Sequence, residues 1–391
     1  TTPVTLIRFG GLGASNYDPS TQTSFVPPPS GSGRYVAVHQ QLLNLTWFKS
    51  WCLSRNPTCT WEASLPGEEN NTQAAIHTAQ WFHQVLGLAP TYWEFGNEPK
   101  AWTDYGINMS RWNTADNVSP TGPDYATMVN NYITAISSLY PHDHYVGIEA
   151  GCSCNALLIS ATAAMDAPLL SSMAYHTYPI DSGSNTSLLQ FYGTLRSGTN
   201  LSGTLSRFQQ NIDKSCVSKA CLTIPLEVGE YQAGPHQNFS PFETTYAGAP
   251  FLAASVIQGL ESNASRFNVF DSIQLMNVSA LTPTFEGLLY QRIIANLTMG
   301  ADYPVTISAP NVGGVFAVIT KNGAHESLFV VNTNTTLGLN LSLKGGLFPF
   351  GTLGSVYGWG PWRLVPSASN GVTLASYYRI PPQGILLLNN Y

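Results

Sequence analysis

Between residues 4 and 298 the chain alternates short β-branched or aromatic runs with longer stretches of helical apolar spacing, and this alternation limits its fold more than any other feature. The strand-like runs fall at 4–9, 59–65, 91–96, 145–150, 173–178, 222–230 and 269–276. Between and after them, 36–50, 71–86, 125–139, 156–165, 187–214, 243–261 and 284–298 read as helices, and 12–34 as a Pro/Ser/Gly loop. Strand followed by helix, repeated, is the pattern of a parallel sheet with helices outside it. From Tyr303 onward the pattern changes to short alternating strands with turn residues, at 315–320, 327–332, 337–343 and 384–388. The expected fold class is therefore α/β: a (β/α)8 TIM barrel over 1–300 and a C-terminal β-sandwich domain over 301–391. A chain of 391 residues has room for both.

Charged residues are 10% of the chain against about 25% in ordinary domains, and the net charge of −6 is spread without blocks. Neither nucleic acid nor an anionic membrane surface is suggested as a partner. No apolar run reaches the ~18 residues of a membrane span. So few carboxylates imply a weak dependence of stability on pH in the acid range. Asn-x-Ser/Thr occurs a dozen times between Asn44 and Asn340, which points to an extracellular, secreted, N-glycosylated protein. The cysteines agree: Cys52 and Cys59 bracket one short loop and Cys216 and Cys221 another, as local disulfides would. Cys152 and Cys154 are too close in sequence for an unstrained bridge. No histidine sits at metal-ligand spacing from them, so no metal and no cofactor are expected.

The chemistry concentrates in Thr91-Tyr-Trp-Glu-Phe-Gly-Asn-Glu98-Pro99, an aromatic strand that breaks at Gly96 and ends on an Asn-Glu pair. A carboxyl group walled by Tyr92, Trp93 and Trp102 is partly desolvated, the setting a general acid needs, and Asn97 offers hydrogen bonds to a substrate hydroxyl. An ordinary solvated glutamate at a strand end would look the same. A second carboxylate comes from Pro225-Leu-Glu-Val-Gly-Glu230-Tyr231. Glu227 and Glu230 are three apart, so on a strand they face opposite ways. Glu230 lies nearer the C-terminal end, where barrel chemistry resides, and Gly229 before it permits close approach of a ligand. His176 and Tyr178 share one face of the 173–178 run, either as packed strand residues or as partners that orient Glu230. Arg8 is a lone cation near a strand end, which if buried must be paired. Trp102, with Trp47, Trp51, Trp61 and Trp112, is either core or a sugar-stacking surface.

Trp93 to Pro99 resembles the Asn-Glu-Pro signature of the clan A glycoside hydrolases, in which this Glu is the acid/base at the end of barrel strand four. In finer detail the chain is similar to glycoside hydrolase family 79, the heparanase and β-glucuronidase family. The matching islands are Arg8-Phe-Gly-Gly11, Trp93 to Pro99, His176-x-Tyr178, and a nucleophile after Gly229. The resemblance implies a retaining hydrolase acting on an oligo- or polysaccharide, with Glu98 as acid/base, Glu230 as nucleophile and Arg8 as the nucleophile's partner. Arg8, Asn97, His176, Tyr178, Tyr231, Gly234 and Trp102 would contact or frame the sugar. Tyr231-Gln-Ala-Gly234-Pro235 keeps one glycine of the family's Tyr-Gly-Gly type uronate-binding segment, so a neutral glycan acted on by another clan A type (endo-glucanase, xylosidase or arabinofuranosidase) is the alternative. A non-catalytic carbohydrate-binding surface protein is the alternative from another class. The resemblance also makes Glu98 the end of strand four although it ends only the third run here. Strand one would then be missing, supplied by a separate N-terminal fragment or subunit that pairs with residues 4–9.

Overall fold

The computed structural model describes residues 6–9, 23–26, 36–39, 50, 53–54, 60–87, 91–102, 112, 120–151, 155–180, 187–198, 200–214, 216, 220–232, 242, 245–269, 276–277, 282–298, 301–304, 314–343 and 351–390. Its strands begin with β1 (Leu6–Phe9), β2 (Thr23–Val26), β3 (Val36–His39), β4 (Thr60–Leu65), β5 (Thr91–Phe95), β6 (His144–Ala150), β7 (Ser172–Thr177), β8 (Leu226–Tyr231) and β9 (Ala264–Val269). One seven-stranded sheet runs in the order β1-β4-β5-β6-β7-β8-β9, and its first four pairings are parallel. Among the described residues β1 and β9 are the two ends of this sheet, and nothing supports the separate fragment or subunit expected to pair with residues 4–9. By contact density the chain forms two units, one mainly of 3–176 with 207–229 and the other mainly of 177–206 with 230–391.

In the first unit the strands are buried almost completely, as parallel strands covered by helices must be: β4 from Trp61 to Leu65 and β6 from Tyr145 to Ala150. The helices Thr72–Gln80, Gly122–Ser137 and Ala156–Asp166 lie between them in sequence. Asn71 and Thr121 cap the first two by accepting hydrogen bonds from backbone N–H groups of the first turn. Helix Gly122–Ser137 is tied to the sheet by tyrosines. Tyr125 donates to the Phe95 carbonyl (2.9 Å), and Tyr132 donates to the Pro66 carbonyl (3.0 Å). Gly67 is required where the chain leaves β4, because a Cβ there would stand 2.4 Å from the Phe95 carbonyl oxygen. One disulfide of the described residues, Cys216–Cys221, closes the loop before β8. The other expected bridge, Cys52–Cys59, and Cys152 and Cys154 lie outside them.

Two elements differ from expectation. The helix expected at 36–50 begins instead as β3, which pairs antiparallel with β2 inside what reads as a loop. The alternation Val36-Ala-Val-His has strand period, and the apolar residues that suggested a helix come later, outside the described stretch. The last strand of the sheet is 264–269, not 269–276. Asn263 takes a left-handed turn (φ 56°) straight after helix Gly248–Glu261, so the strand starts at once. Its sequence Ala-Ser-Arg-Phe-Asn-Val is half exposed and less apolar than the run that follows it.

The second unit adds β10 (Met276–Asn277), β11 (Thr282–Pro283), β12 (Ala301–Pro304), β13 (Val315–Asn322), β14 (His325–Asn332), β15 (Leu339–Ser342), β16 (Leu353–Trp359), β17 (Ser367–Thr373), β18 (Tyr377–Ile380) and β19 (Gly384–Asn390). β12-β13-β14-β19-β16-β17 form one antiparallel sheet and β15-β18 a ribbon. Alternate residues Ala317, Ile319, Leu328, Val330, Leu386 and Leu388 pack with Leu339, Leu374 and Ile380 as one core, the layering of a β-sandwich. Residues of the other parity, such as Val318, Phe329 and Leu387, are buried too. Helix Gly248–Glu261, buried from Gly248 to Gly259, lies against β13 and β14. A helix apolar on every side belongs in such an interior.

Candidate active site

Parallel pairing sets Arg8 opposite Glu62 and Ser64 opposite Glu94. Residues two apart on a strand share a face, so Arg8, Glu62 and Glu94 leave the sheet on the same side. Glu149 joins them from β6, and one carboxylate oxygen from each of Glu62, Glu94 and Glu149 lies within 4.8 Å of the others. All three glutamates are 0% exposed. The cation among them is Arg8, whose Nε and Nη2 donate to the two oxygens of Glu94, whose Nη2 donates to Glu149 (3.2 Å), and whose Nε stands 3.6 Å from Glu62. Three carboxylates facing one guanidinium away from water cannot all be ionised at modest cost. Burial, reinforced by the nearby Glu94, pushes Glu149 from 4.5 up to about 7, while Arg8 and His176 pull the other way.

Glu98 stands just past the end of β5, on the turn the aromatic strand leads into. Gly96 takes a left-handed conformation (φ 80°), and a Cβ there would strike the Trp102 ring at 2.6 Å. Trp102 is fully buried and donates its indole N–H to the Asn97 carbonyl (2.7 Å). It is a brace beneath the turn. Trp112 and Tyr125 pack against it. The Glu98 backbone N–H donates to the Glu149 carbonyl (3.1 Å), and Asn97 bridges Glu149, so β6 fixes the turn from one side. Glu98 itself is left-handed (φ 48°), an uncommon conformation for a residue with a side chain. The Asn97 side-chain oxygen is buried with no hydrogen-bond partner among the described residues.

His176, on β7 and 1% exposed, joins the two sets of carboxylates. Its Nδ1 lies 2.9 Å from Glu98 Oε1 and its Nε2 lies 2.5 Å from Glu149 Oε2. The Glu98 side chain is 18% exposed, so of the carboxylates in this network it is the one that meets solvent. Gly151 gives it room, since a Cβ at 151 would fall 2.3 Å from Glu98 Oε1. Gly229 is spared a side chain for the protein's own sake, not for a ligand's: a Cβ there would stand 2.3 Å from Glu149 Oε2.

In the second unit Tyr178 donates its hydroxyl to Glu230 Oε2 (2.6 Å), and Glu230 is 3% exposed. Tyr231 is buried and hydrogen-bonded to Ser255, as a strand anchor. Glu227 is buried on β8 and accepts from Ser172 (2.9 Å), the opposite disposition that three-residue spacing requires. Gly234 lies outside the described residues. Sequence reasoning passed over Glu62, Glu94, Glu149 and Gln232. The last is 1% exposed, and neither polar atom of its side chain has a partner among the described residues. The signal that could have found the glutamates is a lone carboxylate in mid-strand with apolar neighbours on both sides.

No protein-family model matches the chain, and no curated protein is similar in sequence. Solved structures are similar in fold. A family 51 α-L-arabinofuranosidase, AbfB of Bifidobacterium longum, superposes with a TM-score of 0.73 at 15% identity over 99% of this chain and 87% of its own. A family 44 xyloglucanase of Paenibacillus polymyxa gives 0.71 at 11% identity over 97% and 92%. An α-L-arabinofuranosidase of Thermotoga maritima gives 0.66 at 13% identity over 98% and 86%. At such identities the likeness is one of fold: an α/β barrel with a C-terminal β domain, shared over nearly the whole of both chains. These neighbours lie in families 44 and 51, and they lend no support to family 79 in particular.

Proposed function

We propose that the chain is a retaining glycoside hydrolase in which Glu98 is the acid/base and Glu230 the nucleophile. The observation that carries this reading is the environment of Glu98: a carboxyl held by His176 at one oxygen, open to solvent in part, on a turn that two glycines and a tryptophan brace. A carboxyl so held can give a proton to a leaving oxygen and take one back from water. Glu230, bonded by the Tyr178 hydroxyl, has the fixed orientation a nucleophile needs. Double displacement further requires the two carboxyl groups to come within about 5–5.5 Å across the scissile bond. A crystal structure holding them ~8 Å or more apart would favour inversion instead.

A neutral sugar is the favoured substrate. Arg8 already serves Glu62, Glu94 and Glu149, which leaves it committed to the protein and not to a substrate carboxylate. The glycan-active neighbours support the class: a xyloglucanase and arabinofuranosidases. The same reading assigns the chemistry to residues 1–300 and an ancillary role to 301–391. It also places the protein outside the cell, with glycans at exposed sequons such as Asn70 and Asn340. Chromogenic β-glucosides, β-xylosides, β-glucuronides and α-L-arabinofuranosides, followed by NMR of the first-formed anomer, test it. Retention on a neutral glycoside is expected. Glu230→Gln should lose several powers of ten in kcat on every substrate, whereas Glu98→Gln should spare those with very good leaving groups. A folded protein that hydrolyses none of them would instead be a carbohydrate-binding module on this scaffold.

A further inference from the structure

The His176 ring connects two carboxyl groups of different kind, the partly exposed Glu98 at Nδ1 and the enclosed Glu149 at Nε2. A neutral imidazole has one N–H and one lone pair, so the state of one end dictates the other. With Glu149 protonated, its O–H donates to Nε2 and the ring proton must sit on Nδ1, donating to Glu98 Oε1. The acid proton of Glu98 is then confined to Oε2. With Glu149 ionised, Nε2–H donates to it and Nδ1 turns its lone pair towards Glu98. Any proton on Glu98 is then drawn to Oε1, where it is given to the ring and withheld from a leaving group.

We propose that Glu149 is a positioning residue that selects the His176 tautomer, and thereby decides whether Glu98 can act as a general acid. The inference rests on the reading of Glu98 as acid/base. The two states differ by one proton. On going from the active to the inactive form, the Oε2 proton of Glu98 leaves to solvent, the Nδ1 proton moves to Glu98 Oε1, and the Glu149 proton moves to Nε2. Glu149 is 0% exposed, so its ionisation reaches solvent through its partners, of which Glu98, by way of His176, is the most exposed.

The groups around Glu149 fix the pH at which this occurs. Arg8 faces it from β1, Glu62 from β4, Glu94 from β5 and His176 from β7, and Gly229 closes the side towards β8. Tyr125 senses its charge from helix Gly122–Ser137. Arg8 is largely taken up by Glu94, which it grips through two nitrogens. The balance lifts Glu149 to about 7, within reach of ordinary working pH. On this account the alkaline limb of the pH–rate profile belongs to Glu149.

Two measurements test it. In Glu149→Gln the side chain facing Nε2 no longer ionises, so the His176 tautomer no longer changes with pH through this group. The alkaline limb of kcat/KM, measured with a poor leaving group, should move up by ~1 pH unit or more while the acid limb stays. An alkaline limb at the native position overturns the proposal. In the native protein, 15N NMR of the solvent-shielded imidazole should show an Nδ1–H tautomer giving way to Nε2–H at the midpoint of the same limb. A ring that keeps one state through that range, or is doubly protonated there, equally refutes it. The NMR arm stands whether or not the variant folds. If the tautomer switches but no glycoside is cleaved, the assignment of Glu98 as acid/base fails and the switch does not.

Discussion

Replacing Gly229 by alanine separates a steric role from a ligand-binding one. The added Cβ would stand 2.3 Å from Glu149 Oε2 and 3.2 Å from both Glu149 Cδ and Ala174 Cβ. An ordinary contact of about 3.5 Å requires the carboxyl to retreat by about 1 Å. A shift of that size disturbs its 2.5 Å contact to His176 and its 3.2 Å contact to Arg8, both made by the same oxygen. Badly paired charge in a buried site costs roughly 3 kcal/mol, whereas Gly→Ala at an unhindered strand position gains up to about 1 kcal/mol. Gly229→Ala should therefore destabilise the native protein by about 3 kcal/mol, and in a Glu149→Ala background the same change should cost under ~1 kcal/mol, a coupling of roughly 2–3 kcal/mol. Urea unfolding of the four proteins, followed by tryptophan fluorescence and near-ultraviolet circular dichroism, gives the cycle once m is seen to be unchanged. An equal cost with and without the Glu149 carboxyl would refute the steric argument.

Tyr178→Phe removes the 2.6 Å bond to Glu230 and should lower kcat by ~10- to 100-fold with a smaller effect on KM, as loss of a bond to a charged group implies. An unchanged kcat would end the claim that Tyr178 holds the nucleophile. Arg8→Lys offers one ammonium where a fork served several carboxylates, and should cost about 3 kcal/mol by denaturant titration; a cost within experimental error would show that the fork is dispensable. Stability should also respond to pH more than the scarcity of charge suggests. Burial lifts Asp166 from 3.8 to about 7, and Glu149 rises from 4.5 to about 7. Between about pH 4 and 7 the native state thus holds protons that the unfolded chain has released, and stability should fall as pH rises through that window. Asp166→Asn should flatten the fall, and a native protein whose stability rises over the same window would contradict the assignment.

What was legible in the sequence follows from which signals are local. The aromatic run into Gly96-Asn97-Glu98-Pro99 carries strand, turn and candidate acid within a few residues, and β5 and its turn appear where expected. Glu227 and Glu230 were separable because a strand alternates, and their partners Ser172 and Tyr178 lie as that alternation requires. Glu62, Glu94 and Glu149 were not legible as a group, since their proximity arises from register between strands far apart in the chain. Each taken singly was a visible anomaly: Trp-Glu-Ala, Trp-Glu-Phe and Ile-Glu-Ala place a charge where an apolar residue is due. Strands with one wet face were the hardest to read. Ala264–Val269 and Ser367–Thr373 are largely polar and partly exposed, and neither forms the apolar run by which β4 or β6 was recognised.

Glu98 sits at φ 48°, where a side chain is a liability. Among residues the left-handed conformation favours glycine by roughly 1–2 kcal/mol. At most positions alanine outranks glycine, because glycine leaves more freedom behind in the unfolded chain. Here the ranking should invert: with the carboxyl removed either way, Glu98→Gly should be the more stable of the two, and Glu98→Ala the less. The glutamate is held there in part by its 2.9 Å bond to His176, and wherever that bond is lost, selection for stability alone would favour glycine over any other small residue. If Glu98 is the acid/base proposed above, a library screened only for heat resistance is blind to its loss, so any effort to harden the scaffold has to hold Glu98 fixed and seek its gains elsewhere.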